Sequence, residues 1–368
     1  MEKEIEKYKE IRFIKENSII FRKYKVQKKI GEGAFSHVYS GICIITNESV
    51  AIKFESRKSE NPSLETESYI LYSLRGLGIP EVLSFGHLKN YNVLVEPLLG
   101  KSLFDIFNER KGSLPIEDIS LISIQIIDRI QWVHSKNIVH RDLKPDNFLI
   151  GNNDPNIIYL TDFGLSKKYK SSKTGKHIKF SFTGKLVGTV RFASINALRG
   201  GEQSRKDDLE SIGYMIIYLM RGKLPWQGVT GYQKMQKYFK IYKMKKNVPT
   251  EDLCKFLPKQ MTDFMKYIKQ LEFEQEPDYN YLRNLLKSIL KEVNGTNSQL
   301  LFSWIRLSDL QKKLNNRNNI SDNSSGNISF RTWESEVNQN MGEIQNNNNK
   351  DIDIEINNKK RKSKDEFD

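Results

Sequence analysis

The stretch His140-Arg141-Asp142-Leu143-Lys144-Pro145-Asp146-Asn147 decides how the chain is read. It sets a carboxylate at Asp142, a cation two places on at Lys144 and an amide at Asn147, and Asp162-Phe163-Gly164 follows downstream. On either side the apolar pattern is helical. Ile119, Ile122, Ile126, Ile130 and Val133 form one stripe, and Leu209, Ile212, Met215, Ile216 and Leu219 form another. Such stripes are core far more often than anything functional. Toward the N-terminus the period shortens. Tyr24–Ile30, His37–Ile44, Ser49–Phe54 and Tyr91–Val95 read as strands, with Ser63–Leu74 as a helix among them. The pattern predicts an α+β fold in two lobes, a small β-rich N-lobe (residues 21–98) and a larger, mainly helical C-lobe (residues 99–307). No internal repeat is visible.

The N-lobe carries two more motifs. Ile30-Gly31-Glu32-Gly33-Ala34-Phe35-Ser36-His37-Val38 lies between two strands, where a hairpin can close over a triphosphate. Gly31 and Gly33 let backbone N–H groups approach phosphate oxygens, and Val38 would pack on the adenine face. Ser36 stands where the third glycine of the common pattern falls. Gly-rich hairpins are common, so this signal alone decides little. Val50-Ala51-Ile52-Lys53 follows on the next strand. Taken alone, Lys53 is an ordinary surface lysine; after the hairpin, at this distance, it is not.

All four motifs in this order resemble the protein kinase signature set. The resemblance implies ATP and Mg²⁺ as cofactors and assigns roles. Lys53 grips the α- and β-phosphates and pairs with Glu67. Asp142 accepts the substrate hydroxyl proton, Lys144 steadies the γ-phosphate, and Asn147 and Asp162 hold Mg²⁺. A lysine at 144 is typical of serine/threonine kinases.

The segment beyond Asp162 narrows the family. It has no Ala-Pro-Glu motif and reads Gly188-Thr189-Val190-Arg191-Phe192-Ala193-Ser194-Ile195-Asn196 instead. Together with His134–Leu149, Glu202–Tyr214 and Leu224–Gly228, this resembles the casein kinase 1 family over about Tyr24 to Trp304. The resemblance implies the two-lobed kinase fold with ATP in the cleft. It also implies protein substrates in which acidic or phosphorylated residues precede the target, met by a basic pocket. Arg191 and Lys237 match two of the pocket's cations; the third is Gly184 here, beside Lys185. The hinge departs as well. Where the family reads Met-Glu-Leu-Leu-Gly, this chain reads Glu96-Pro97-Leu98-Leu99-Gly100. The Pro97 carbonyl and the Leu99 N–H remain available to adenine. Glu96 falls at the gatekeeper position and, if buried there, needs a partner such as Lys53.

Composition excludes other classes. No run of 18 apolar residues exists, so no membrane span is expected, and the first residues lack the apolar core of a signal peptide. Two distant cysteines, Cys43 and Cys254, fit a reducing, cytoplasmic setting. The net charge of +14 draws polyanions or reflects a Lys-, Asn- and Ile-rich composition, and no nucleic-acid-binding motif accompanies it. Residues 1–20 read as a charged, helical extension. Residues 308–368 are Asn-rich, with too little apolar surface to offset chain entropy. Within them Lys359-Lys360-Arg361-Lys362 reads either as a nuclear localisation signal or as a solvated charge run. Oligomeric state is not legible. An active kinase is the leading reading, and a pseudokinase scaffold the alternative that Ser36 and Glu96 keep open.

Overall fold

The computed structural model describes residues 14–33, 36–171, 173–294 and 301–305. Residues 1–13, Ala34 and Phe35 of the glycine-rich loop, and the tail from residue 306 with its Lys359–Lys362 run lie outside the described residues.

The N-lobe is one antiparallel sheet. Its strands are β1 (Ile19–Ile20), β2 (Tyr24–Glu32), β3 (Ser36–Cys43), β4 (Ser49–Ser56), β5 (Ser84–Leu88) and β6 (Tyr91–Pro97), in the order β1-β2-β3-β4-β6-β5. Strand alternation sorts the side chains between two faces. Val26, Tyr39, Val50, Ile52, Phe54, Val93 and Val95 fill the core on one face. The register pairs Val38 with Lys53 and Lys53 with Leu94, and pairs Ala51 with Glu96. Val38, Lys53, Leu94 and Glu96 therefore share the opposite face.

Helix α1 (Leu64–Leu74) follows β4 and brings Glu67 to that second face. Its N-terminus has no side-chain cap from Ser63. Instead the buried Glu55 carboxylate, from β4, accepts the N–H groups of Ser63 at 2.8 Å and Leu64 at 3.0 Å. A charge at the positive end of a helix is favourable, and this one ties the helix bearing Glu67 to the strand bearing Lys53.

One expectation fails. The reading of residues 1–20 as helical does not hold over residues 14–20. Asn17 adopts a positive φ, and Ile19–Ile20 pair with Tyr24–Lys25 as an edge strand. Two consecutive β-branched residues fit a pleated edge, and burial of Ile20 in the sheet core outweighs the charged pattern preceding it.

The C-lobe is helical. It contains α2 (Leu103–Glu109), α3 (Ile116–Ser135), α4 (Ile195–Leu198), α5 (Arg205–Arg221), α6 (Lys234–Asn247), α7 (Thr250–Leu253), α8 (Lys259–Gln270) and α9 (Tyr279–Asn294). Both predicted stripes are buried, on α3 and α5 respectively. The chain is still packed against the lobe at its last described residues. Ser303 donates its N–H to Asp118 at 2.9 Å, and Trp304 Nε1 donates to the Pro155 carbonyl at 3.3 Å.

Ile126 lies wholly inside this core. Ile126→Ala should cost about 2–5 kcal/mol through lost burial and the residual cavity. Urea unfolding should show a lowered midpoint with an unchanged slope; an unchanged midpoint would contradict the α3 packing.

Candidate active site

Lys53 is the meeting point of the cleft. Its ammonium donates to both Glu67 oxygens, at 2.8 and 3.0 Å, and to Asp162 Oδ1 at 3.2 Å. Burial pulls the lysine pKa down, but Glu67, Asp162 and Glu96 more than reverse this, and the group stays charged. Lys53 in turn holds the Asp162 carboxyl below the usual range, against its own desolvation. An ionised Asp162 that is 46% exposed at its side chain is a hard oxygen donor open to the cleft.

The catalytic loop follows α3 and the short strand β7 (Ile138–Val139). Asp142 is nearly buried, with both carboxylate oxygens engaged. Lys144 Nζ donates to Oδ2 at 2.6 Å, while the N–H and the hydroxyl of Thr189 donate to Oδ1, each at 2.7 Å. Asn147 Nδ2 donates to the Asp142 carbonyl at 2.8 Å, which leaves the amide oxygen as the group a cation could use. The Asp142 N–H bonds His140 Nδ1 at 3.3 Å, so Nε2 is the nitrogen that carries a proton toward the Thr161 carbonyl at 3.1 Å. Asp208, buried on α5, accepts the N–H groups of His140 at 2.7 Å and Arg141 at 2.8 Å and faces His134 Nε2 at 3.0 Å.

Two residues hold costly backbone here. Arg141 and Asp162 both have positive φ, 71° and 64°. Strain of this kind persists only where surroundings enforce it. For Arg141 the enforcer is Asp208. The Arg141 guanidinium Nε also donates to the Leu165 carbonyl at 2.6 Å. Gly188 passes so close that a Cβ there would lie 2.4 Å from the Arg141 carbonyl.

The glycine-rich hairpin closes through Gly33 N–H donating to the Ser36 carbonyl at 2.7 Å, with Gly31 opposite Val38 and Glu32 opposite His37. Ile30 is exposed and Val38 half-buried. His37 turns away from Val38 and is buried on the core side. Pro97, the last residue of β6, and Leu99 just beyond it are half-buried, and the Leu98 N–H between them donates to the Ser49 carbonyl at 3.1 Å.

Glu96 corrects one expectation. It makes no hydrogen bond to Lys53, because Glu67 and Asp162 already take those donors, and the Lys53–Glu67 pair is intact. Part of its surface remains open, yet burial, reinforced by the nearby Glu67 charge and opposed by Lys53, pushes its carboxyl up to about 8.

The two residues of the expected anion pocket come from separate elements. Arg191 lies beside the rings of Phe192 and Tyr218, and Lys237 is exposed on α6. Among the described residues neither meets a carboxylate within ion-pair distance. Gly184 and Lys185 are also exposed.

A family model described as "Protein kinase domain" matches residues 24–292. The chain is 40% identical over 299 residues to casein kinase I homolog 2 of Schizosaccharomyces pombe, covering 80% of this chain and 68% of that protein. The chain belongs to the casein kinase 1 family. It is a serine/threonine protein kinase, and ATP and Mg²⁺ follow from the protein kinase family. In this chain the site includes two partners that the sequence motifs do not single out, Thr189 and Asp208. In the sequence Thr189 lies inside the Gly188–Asn196 signature and Asp208 inside Glu202–Tyr214, with nothing to set either apart from its neighbours. The one available signal for Asp208 was a charge inside a helix whose other stripe is apolar. In this casein kinase 1 site the donor set fits the implied metal, since a carboxylate and an amide oxygen beside phosphates suit Mg²⁺.

A ligand with an apolar ring against Glu96 should report its charge. Below pH 8 the carboxyl is neutral and costs less to desolvate; above it, ionisation should weaken binding. Calorimetric titration across pH 6.5–9 should give wild-type affinity that falls with rising pH, and tighter, flatter affinity for Glu96→Met. Identical profiles would contradict the placement of Glu96.

Proposed function

We propose that this kinase is catalytically competent. On this reading it transfers the γ-phosphate of ATP to serine or threonine in acidic or phosphoprimed protein substrates. The observation that carries the reading is the assembled pair of clusters, Lys53 with Glu67 and Asp162, and Asp142 with Lys144 and Thr189.

Phosphoryl transfer asks for alignment and charge stabilisation more than covalent help. Asp142 aims the substrate hydroxyl and accepts its proton. Thr189 and Lys144 fix the direction of that carboxylate, and Lys144 also places a positive charge where the γ-phosphate would pass. The Lys144 charge is secured because Asp142, Asp162 and Asp146 together outweigh its desolvation. Lys53, held by Glu67, meets the α- and β-phosphates. The glycine-rich hairpin from Ile30 to Val38 covers the nucleotide, and Pro97 and Leu99 offer backbone groups to adenine. Asp162 and Asn147 would hold Mg²⁺, which supplies neutralisation of phosphate charge when bound.

The substrate preference rests on two cations without carboxylate partners. A planar guanidinium at Arg191 presents paired donors to phosphate, and Lys237 adds a point charge. We further propose activity without an activating kinase. Arg141 already donates to Leu165, and against the desolvation that disfavours its charge the Glu202 and Asp208 carboxylates support it, so no loop phosphate is required to engage it. The kinase domain, on this account, spans residues 21–307, and the protein acts in the cytoplasm.

Steady-state assays on bacterially expressed, phosphatase-treated protein test these statements. Wild type should phosphorylate serine or threonine peptides, and Asp142→Asn should lower kcat by orders of magnitude while ATP still binds. If wild type transfers no more than that variant across acidic and primed peptides, the chain acts as a pseudokinase scaffold. Arg191→Ala with Lys237→Ala should reduce kcat/KM for primed peptides about tenfold or more beyond the loss on unprimed ones, and added salt should mimic part of it. Equal losses on both peptide classes would remove the anion pocket.

A further inference from the structure

Helix α6 bears lysines at 234, 237, 240, 243, 245 and 246, and all but one point to solvent. Lys245 is 0% exposed. A buried ammonium is costly unless every proton is matched. Here each is. The three protons of Nζ meet three carbonyl oxygens, Val190 at 3.2 Å, Arg191 at 3.1 Å and Ala193 at 2.6 Å. The rings of Tyr214 and Trp226 flank the charge at 4.4 and 4.7 Å. Burial still pulls the group down to about 7, and Glu210 works against that pull.

The carbonyls held in this way belong to a segment with neither helix nor strand to satisfy them. Trp226 Nε1 donates to the same Arg191 carbonyl at 2.8 Å, and Glu210 accepts the Ile195 N–H at 3.0 Å and the Tyr214 hydroxyl at 2.6 Å. Residues 190–195 are therefore pinned from below along their length. The residue just before them is Thr189, which makes two contacts to Asp142.

We propose that Lys245 is a positioning residue for phosphoryl transfer. From the last turn of α6 it sets the backbone of residues 190–193, and thereby the seat of Thr189 against Asp142 and the root of Arg191. This rests on the kinase reading above. It joins two tasks in one rigid element, because Lys237 on the first turns of α6 and Lys245 on its last turn are eight residues apart, about 12 Å along the axis. The exposed lysine faces the substrate's acidic group, and the buried one holds the segment that orients the base. A lysine serves here because its ammonium supplies three donors at one point, which an apolar residue of equal volume lacks.

The test is a double-mutant cycle on the full chain, using Lys245→Met and Thr189→Val. Folding is followed by circular dichroism, nucleotide affinity by ADP titration, and kcat and KM with one peptide. At a temperature where each variant is folded, Lys245→Met should lower kcat about tenfold or more with the ADP Kd within about twofold of wild type. The double variant should fall little below the worse single variant, because the two act on one contact. Lys245→Arg should recover part of the loss. Should Lys245→Met not fold, Trp226→Phe keeps a ring beside Lys245 and removes one donor to Arg191. It should lower kcat less, again without adding to Thr189→Val. An unchanged kcat in the folded variant, losses that multiply, or ADP affinity that falls in step with kcat would each overturn the proposal. An inactive wild type would overturn the kinase reading itself, whereas an active wild type with an indifferent Lys245 would overturn only this inference.

Discussion

The ion pair between Lys53 and Glu67 is the constraint on which the cleft depends. It joins β4, α1 and, through Asp162, the loop after the catalytic segment, so three separate parts of the chain share one charge. Neither partner is easily kept alone. Removing one from a buried pair leaves the other uncompensated, at a cost of about 3–5 kcal/mol. Glu55 reinforces the arrangement from behind by holding the start of α1 to the strand of Lys53. Glu96 adds a third carboxyl near the ammonium, and its response is to hold its proton more tightly. The pair thereby survives an unusual neighbour.

A second constraint lies in the C-lobe. Asp208 spends its carboxylate on two backbone N–H groups of the catalytic loop, and this holds Arg141 in a conformation few residues adopt. Gly188 must come within touching distance of that loop, and Thr189 then reaches Asp142. The reactive carboxylate is thus oriented from two sides, by Lys144 in its own loop and by Thr189 from the segment beyond. Lys245 belongs to the same logic, since it fixes what lies immediately after Thr189.

Much of this was legible in the chain. The reactive residues fall in short contiguous motifs, and strand alternation put Lys53 on the face opposite Ile52. The stripes on α3 and α5 followed from period alone. What stayed hidden depends on contacts between distant segments. Glu55 caps a helix from the strand before it, and Thr189 meets a carboxylate 47 positions away. Lys245 was invisible for a further reason. In KMQKYFKIYKMKKN one lysine looks like another, and a basic helix reads as a solvated face. Its position four residues after Ile241 sets it on the buried side, a signal too slight to outweigh its charge. The edge strand at Ile19–Ile20 was missed because the charged residues before it set the period that was read.

The most direct test of the account compares wild type with Lys53→Met in a single-turnover assay, with Mg²⁺ and excess enzyme, and phosphopeptide measured by mass spectrometry. Wild type should place one phosphate on a serine or threonine of the peptide. Lys53→Met should slow that transfer by at least about a hundredfold, because the phosphates lose their anchor and Glu67 its partner. Transfer at the wild-type rate would contradict the central place given to Lys53.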